Sequence, residues 1–535
     1  MKSSGPGRAR AARGAVAAGH ELTARAGADA LARGGNAFDA IVAAGAMSWA
    51  AEPALTAPCG GGFVLVRPAA DGRSRLLDCF TAIPGRDLAG SRQVGEVDAV
   101  SVPFDEQTTQ IFHIGAAACA VPGVVPGLGA LHRRFGRLPW RSLLLPAADA
   151  AERGVVTNQG QYAVFRAIEA VMTHTAEARA LFAPGGRYLR QGDTVRQPEL
   201  AASIAQIAER GPEAMRSGDL ARAMVDHQAA TGGPLTADDL LAYRPVWRRP
   251  LAGGYRGHDL HTNPPPSSGG SLIAYMLAVL DGTGERLPPG KARTLLALAE
   301  TMRAAARTRD AQFERLLHRG GLAAHLLSAA SVKRGRRAVE RALAGLPSPA
   351  PALRADSGTT HISVVDGDGN AAAFTASNGC HSGVVVPGVG LHLNNMMGEE
   401  DLAAGRHRSP GGRLTSMQAP SIVTRDGRVR LVVGSSGSNR LRSAITQVIV
   451  NVVEHGMPVA EAVASPRVHV EGDRLDCEGG IDPREVDRLQ EWGEQVNRFG
   501  GLNLYFGGAN AVTVDGAGRM DAAGDPRRDC AAVVL

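Results

Sequence analysis

The segment "DSGTTHISVVDGDGNAAAFTASNG", residues 356–379, decides the fold prediction. "THISVVD" and "AAAFTAS" have near-alternating apolar patterns, and "GDGN" between them is a turn sequence, so the segment predicts a β-hairpin. The preceding stretch "GLPSPAPALRADSG", at about 345–358, is rich in proline and small residues and predicts a loop. Two adjacent threonines, Thr359 and Thr360, therefore stand where a loop enters a strand.

A threonine at this junction has two interpretations. In the first, its hydroxyl packs or caps the strand, which suits the β-propensity of threonine. In the second, the chain is cut before the threonine, and the new α-amine, with an unperturbed pKa of about 7.7–8.0, takes the proton of the attacking hydroxyl. A flexible linker ending in glycine, followed at once by a strand, suits such a cut.

The rest of the chain predicts a mixture of helices and strands. Two helices in tandem are expected within residues 19–52, with Asn36 as the cap of the second, and "GGFVLVRPAADGRSRLLDCF" predicts two strands around an Asp-Gly turn. Residues 125–345 are mainly helical by pattern, interrupted by a strand and "PPPSSGG". Later strand pairs are expected at "SIVTRDGRVRLVVGSS" and "ANAVTVDGAGRMDAAG", with a helix at 441–456 between them.

The amino-acid composition argues against several classes of protein. The 535 residues are 44% hydrophobic, enough for a large core, and the net charge is +6, but the basic runs lack the interleaved aromatic residues that stack on bases, so no nucleic-acid partner is expected. The six cysteines show no CxxC pair, which predicts neither zinc nor a disulfide framework. No leader and no membrane-spanning run is evident, so the cytoplasm is the default location and no membrane partner is expected.

Metal and cofactor motifs are absent from the sequence. His361, His392 and His407 lack metal-like spacing, and no P-loop, HExxH, GxSxG or GxGxxG motif is evident, so we predict no cofactor and no metal. The acidic run 399–401 has no histidine or cysteine partner and is interpreted as a loop that faces a pocket.

Eight segments in order resemble the γ-glutamyltranspeptidase family from about residue 13 to the end: "RGGNAFDAIVAAGAMSWAAEP", "CGGGFVLVR", "AVPGVVPGLGALHRRFGRLP", "YRPVWRRPLAGGYRG", "PPPSSGG", "TTHISVVDGDGN", "LNNMMGEEDL" and "SPRVHVEGD". The resemblance implies an α+β fold, the four-layer αββα sandwich of N-terminal-nucleophile hydrolases. It also implies cleavage between Gly358 and Thr359 into a large subunit, 1–358, and a small catalytic subunit, 359–535, which stay associated. Thr359 would then be both nucleophile and base.

The resemblance also assigns supporting residues. Ser377 occupies the position of a family threonine whose hydroxyl hydrogen-bonds the nucleophile, and serine keeps both donor and acceptor. In "GSSGSNR", Gly437 and Ser438 match paired glycines whose N–H groups form the oxyanion hole. Thr415 and Ser416 keep the hydroxyl pair that contacts the substrate carboxylate.

The substrate-binding positions depart from the family pattern. Phe80 stands where the family has an arginine that grips the α-carboxylate, Thr81 replaces a glutamate, and Met396 replaces a polar residue, while Glu399 stands where an aspartate binds the substrate amine. A phenyl ring cannot imitate a bidentate guanidinium. We therefore expect a small amino- or imino-acid-like substrate, with Phe80 and Glu399 at its site, in place of ordinary glutathione.

Three functions stay open at this point. The first is an autoprocessing hydrolase or acyltransferase that forms an acyl ester on Thr359. The second is the cleavage of a carbon–carbon bond on the way to alkylproline units, as in family members from lincosamide and pyrrolobenzodiazepine antibiotic pathways. The third is an uncleaved scaffold or binding homologue.

Overall fold

The computed structural model describes residues 13–88, 94–103, 109–283, 286–345, 358–399 and 409–535. Most of the predicted loop, residues 346–357, and the acidic residues 400 and 401 lie outside these ranges. The strands are β1 (Gly14–Ala18), β2 (Gly61–Arg67), β3 (Arg75–Cys79), β4 (Asp98–Pro103), β5 (Thr109–Ile114), β6 (Val155–Val156), β7 (Thr194–Val195), β8 (Val246–Arg248), β9 (Leu251–Tyr255), β10 (His258–Thr262), β11 (Thr360–Asp366), β12 (Ala371–Ser377), β13 (Val385–Val386), β14 (Leu391–His392), β15 (Ser421–Arg425), β16 (Arg428–Ser436), β17 (Val468–Glu471), β18 (Arg474–Cys477), β19 (Gln495–Arg498), β20 (Gly508–Val514), β21 (Met520–Ala523) and β22 (Ala531–Val534).

The α-helices lie mainly before the β11–β12 hairpin, as the sequence pattern predicts. They are α1 (Glu21–Ala32), α2 (Ala37–Ala51), α3 (Val124–Phe135), α4 (Trp140–Arg153), α5 (Gln159–Ala167), α6 (Glu169–Met172), α7 (Ala176–Phe182), α8 (Pro198–Arg210), α9 (Asp219–Ala230), α10 (Ala237–Ala242), α11 (Gly269–Asp281), α12 (Ala292–Arg307), α13 (Ala311–Arg319), α14 (Leu322–Leu326), α15 (Ala329–Leu343), α16 (Arg440–Val453), α17 (Val459–Ala464) and α18 (Pro483–Glu491).

Two large sheets organise the chain. One has the order β22-β1-β11-β12-β2-β3-β8 and the other the order β21-β20-β16-β15-β10-β9, and neighbouring strands in both are antiparallel. Both sheets contain strands from before and after Gly358: β1, β2, β3 and β8 of the first sheet and β9 and β10 of the second come from before it. The two segments on either side of the predicted cut are therefore built into common sheets.

The core explains why the central strands are apolar on both faces. In β2, Phe63 and Leu65 join a cluster with residues of the second sheet, whereas Val64 and Val66 pack against helices such as α1, α2 and α3. A third cluster packs α11, α12 and α16 on the second sheet. Mixed helix and sheet content, the coarse form of the fold prediction, is confirmed.

Local predictions agree with these elements. Asn36 caps α2 by accepting hydrogen bonds from the backbone N–H groups of Phe38 and Asp39, at 2.9 and 3.0 Å. All three predicted Asp-Gly turns join antiparallel strands, namely β2–β3, β15–β16 and β20–β21. In the described ranges, no helix has both the length and the apolar character needed to cross a bilayer.

Candidate active site

The hairpin register brings Ser377 beside the Gly358–Thr359 peptide. Thr360 pairs with Ala376, so the end of β12 lies next to the start of β11. The Ser377 hydroxyl donates a hydrogen bond to the carbonyl oxygen of Gly358 and accepts one from the backbone N–H of Gly379, at 2.9 Å. A donor on this carbonyl polarises it toward nucleophilic attack.

The two threonines have different surroundings. Thr359 is 4% exposed, while the Thr360 hydroxyl donates to the carboxylate of Glu52, which also accepts from the Thr23 hydroxyl at 2.7 Å. Burial raises the pKa of Glu52 to about 7, and both hydroxyl hydrogen bonds act in the opposite direction. Thr360 is thus engaged in a buried polar contact, consistent with a structural residue.

Gly437 and Ser438 form the tight turn between β16 and α16. Their φ angles are +108° and +58°, both in the left-handed region, which costs serine more than glycine. A side chain on Gly437 would meet the Cα of Gly507 at 2.6 Å, so this position has room only for glycine. Gly437 lines the same cavity as Gly358, which brings the predicted oxyanion-hole turn and the predicted cleavage point together.

That cavity adjoins a second one. The first, with about 490 Å³ of empty space including its mouth, is walled by Phe112, Ile168, Cys380 and other mainly apolar residues. The second, with about 420 Å³ of empty space that also includes its mouth, is lined by Glu52 and Thr360. We refer to them as the larger and the smaller cavity.

Phe80 and Met396, two positions that depart from the family pattern, belong to one buried apolar cluster between the sheets. Each is 1% exposed, and the Phe80 ring stacks on Phe63 with centroids 5.3 Å apart and an interplanar angle of 14°. Leu414 completes this side of the cluster, and its N–H donates to the Thr81 carbonyl at 3.2 Å. The side chains of Phe80 and Met396 therefore pack inside the protein, among apolar neighbours.

Thr415 and Ser416 follow Leu414 and are 5% and 3% exposed. The Ser416 carbonyl accepts hydrogen bonds from the Ser267 hydroxyl, at 2.9 Å, and from the Ser268 N–H, at 2.8 Å, which fixes this segment to the "PPPSSGG" elbow. Thr415 and Ser416 are consequently held in place by one side-chain and one backbone hydrogen bond from that elbow.

Glu399 lies close to the cleavage point. It is 4% exposed, and a side chain on Gly379 would meet its Oε1 at 2.8 Å. The Gly379 carbonyl in turn lies 3.1 Å from where a side chain on Gly358 would begin. The structure therefore groups Gly358, Ser377, Gly379 and Glu399.

The sequence patterns missed Glu52, Arg440 and Arg528, which line the cavities. No local motif marks these residues, because their neighbourhood depends on long-range pairing of strands and loops. No group of three His, Cys, Asp or Glu side chains within the described ranges is placed to hold a metal ion, and no disulfide joins the six cysteines, all of which lie in those ranges.

The chain is similar to known proteins over most of its length. The family model described as Gamma-glutamyltranspeptidase matches residues 23–535. The Acylase ACY 1 proenzyme of Pseudomonas sp. (strain V22) is 34% identical over 98% of this chain and 94% of its own. The Glutathione hydrolase proenzyme of Escherichia coli (strain K12) is 30% identical over 97% and 91%.

Solved structures share the fold. The cephalosporin acylase from Bacillus halodurans superposes with a TM-score of 0.82, at 24% identity, over 100% of this chain and 98% of its own. The structure of LmbA2991HD gives a TM-score of 0.78, at 24% identity, over 100% of both chains. With these matches, the chain belongs to the gamma-glutamyltranspeptidase family and is a divergent, γ-glutamyltransferase-like N-terminal-nucleophile hydrolase.

Proposed function

We propose that the chain is a self-cleaving threonine hydrolase or acyltransferase that acts on a small amino- or imino-acid-like substrate other than ordinary glutathione. The observation that carries the proposal is the hydrogen bond from the Ser377 hydroxyl to the Gly358 carbonyl, at the peptide bond where the cut is expected. The names of two relatives, both proenzymes, support a processed enzyme.

Self-cleavage would proceed through an ester. The Thr359 hydroxyl oxygen attacks the Gly358 carbonyl carbon, the peptide C–N bond breaks, and the hydroxyl proton passes to the nitrogen, which becomes the α-amine. Water then hydrolyses the ester between Gly358 and Thr359, which leaves a carboxylate on Gly358 and a free hydroxyl on Thr359. Ser377 stabilises the negative charge that develops on the Gly358 oxygen.

The same hydroxyl would then attack the substrate. Its proton passes to the α-amine of Thr359 and onward to the leaving group, and the N–H groups at Gly437 and Ser438 hold the oxyanion. Water or an amine releases the acyl group. Residues 1–358 and 359–535 would remain together as a four-layer αββα sandwich, because both sheets contain strands of both segments.

The substrate class follows from the apolar cluster. Phe80 and Met396 supply no partner for an α-carboxylate, and a buried carboxylate left without a partner loses several kcal/mol of binding, about 2–5. Glu399, which is 4% exposed, supplies a carboxyl group for recognition of an amine or imine. The apolar replacements also favour the second candidate, carbon–carbon bond cleavage of a ring-bearing imino acid by the same nucleophile.

A denaturing gel tests the first step. Wild-type protein should give two bands, the smaller beginning at Thr359 by terminal sequencing, and Thr359→Ala should give one. A single wild-type band would instead support the uncleaved scaffold.

Two substrates separate the two enzyme functions. Purified enzyme is offered γ-glutamyl-p-nitroanilide and, separately, a vinyl-pyrroline carboxylate. Turnover of only the first rejects the carbon–carbon cleavage function, and turnover of only the second rejects an ordinary γ-glutamyl transferase.

A further inference from the structure

The larger and the smaller cavity meet at Arg528. Both are lined by Ala54, Leu55, Val164 and Arg528, and the larger one also contains Gly358 and Gly437. A side chain on Gly437 would lie 3.6 Å from Nη2 of Arg528. The guanidinium is therefore close to the turn that is proposed to hold the oxyanion.

Arg528 lacks the counter-charge that its neighbours have. Arg467 and Arg527 are ion-paired with Asp525, at 2.6 and 3.0 Å. Arg528 donates from Nη2 to the Leu504 carbonyl at 3.1 Å, but within the described ranges its buried Nε has no hydrogen-bond partner and no carboxylate lies in ion-pair contact with it. Burial lowers the pKa of Arg528 to about 10.

A second cation lines the larger cavity. Arg440 donates from Nε to the Tyr505 carbonyl at 3.1 Å, and its guanidinium carbon lies 4.7 Å from the centre of the Tyr505 ring. No acidic side chain from the described part of the chain lines this cavity. Glu52 lies in the smaller cavity, where two threonine hydroxyls already donate to it.

A partly desolvated cation without an anion is unfavourable, and a ligand that carries a carboxylate would relieve it. The planar guanidinium also suits a carboxylate in two-point contact. These properties point to a ligand-binding role for Arg528, since fold stability alone would favour an ion pair like those of Arg467 and Arg527.

We propose that Arg528 binds a carboxylate of the substrate in the larger cavity and so replaces the carboxylate contact that Phe80 cannot make. This inference rests on the proposed function, which makes the cavity beside Gly358 and Gly437 the substrate site. It narrows the substrate class to compounds with an anionic group near the bond that is broken.

Binding of a matched pair of probes tests the inference. Isothermal titration measures the affinity of glutarate and of glutaramide, which are similar in size and differ in charge. Wild-type protein should bind glutarate at least about tenfold more tightly than glutaramide; the preference should vanish in Arg528→Gln and persist in part in Arg528→Lys. Equal affinities in the wild type, no measurable binding of glutarate, or a preference that survives in Arg528→Gln would each overturn the inference.

Two further variants serve as a control and as an alternative to Arg528→Gln. Arg25→Gln changes an exposed arginine in a surface ion pair and should leave the preference intact. If Arg528→Gln does not fold, Leu55→Glu places a carboxylate on the wall shared by both cavities, and it should abolish the glutarate preference by pairing with Arg528; an unchanged preference counts against the inference. A denaturing gel of the same samples measures chain cleavage independently of binding. An uncleaved wild-type chain would refute the proposed function, while the titration would still show whether Arg528 binds a carboxylate.

Discussion

The carboxylate of Glu52 accepts a hydrogen bond from the hydroxyl of Thr360, the residue next to the proposed nucleophile. Because Glu52 is buried at 2% exposure, its pKa is raised to about 7, and its titration falls within the usual working range of an enzyme. This contact joins α2, the central buried helix, to the start of β11. The ionisation of Glu52 is therefore linked to the strand that begins at the predicted cut.

The first prediction concerns stability and pH. The folded pKa of Glu52 lies above its unfolded value, so the folded state binds the proton more tightly, and the contribution of this group to stability falls as pH rises from about 4.5 to about 7. In the wild type, Glu52 should lower the free energy of unfolding by roughly 2–4 kcal/mol between pH 4.5 and pH 8. Glu52→Gln should lack this decrease when urea unfolding is measured at several pH values.

Two controls accompany that measurement. Glu21→Gln changes an exposed carboxylate and should leave the pH dependence as in wild type. Thr360→Val removes a hydrogen bond that lowers the pKa of Glu52, so the midpoint of the fall should move to higher pH. Parallel pH curves for wild type and Glu52→Gln would show that Glu52 ionises alike in both states.

The second prediction concerns the rate of self-cleavage. Ser377→Ala removes the donor to the Gly358 carbonyl and should slow the appearance of the two bands about 10- to 100-fold, whereas Ser377→Thr keeps a hydroxyl and should stay near wild type. Ser382→Ala removes a neighbouring buried hydroxyl that donates to the Leu393 carbonyl instead, at 2.9 Å, and serves as the matched control. Cleavage of Ser377→Ala at the wild-type rate would contradict the role given to this hydroxyl.

The third prediction concerns the turn at Gly437. Gly437→Ala forces a side chain against the Cα of Gly507 at a φ of +108°, so both self-cleavage and turnover should fall by at least about tenfold. Gly427→Ala, at a φ of +72° with no heavy atom within 4 Å of the added carbon, carries the backbone strain without the crowding. It should cost about 1–2 kcal/mol in urea unfolding and leave cleavage unchanged. Similar losses in both variants would mean that backbone strain alone matters at Gly437.

Local sequence signals predicted the strands that are joined by short turns, and they missed two strands that pair over long distances in the chain. The β11–β12, β15–β16 and β20–β21 pairs are joined by short turns whose residues carry the signal, and the structure confirms them. The strand β1, which lies beside β11, and the strand β22, which lies beside β1, were missed because "GAVAA" and "AAVV" are short and rich in alanine, with weak strand propensity. The pairing of β1 with β11 and with β22 joins distant parts of the chain, and no local pattern encodes it.

Some contacts in the candidate site could be predicted from local sequence, and others depend on long-range folding. The contact of Ser377 with Gly358 follows from the hairpin register, so the sequence could anticipate it. The neighbourhood of Gly437 and Arg528 depends on β20 and on the segment before β22, which fold back from the end of the chain. Side-chain burial is also long-range information: Phe80 was expected at the substrate site, and its packing on Phe63 is visible only in the folded chain.

The fourth prediction concerns Phe80. Restoring the family residue with Phe80→Arg would bury a guanidinium in the apolar cluster that contains Phe63, Met396 and Leu414. We expect a loss of about 3–5 kcal/mol in the free energy of unfolding, because the charge would be buried among apolar side chains, and no gain of turnover with γ-glutamyl-p-nitroanilide. Phe80→Leu, which keeps an apolar side chain, should cost only about 1–2 kcal/mol.

Chemical denaturation and the p-nitroanilide assay on the same preparations distinguish two explanations of the family departure. If Phe80 is a packing residue, Phe80→Arg is destabilised and inactive toward the γ-glutamyl substrate, while Phe80→Leu retains the cleavage pattern of wild type. If the position instead faces the substrate, Phe80→Arg stays as stable as Phe80→Leu and gains γ-glutamyl turnover. The second result would show that position 80 can bind a substrate carboxylate. It would then remove the reason to expect Arg528 to make that contact in its place.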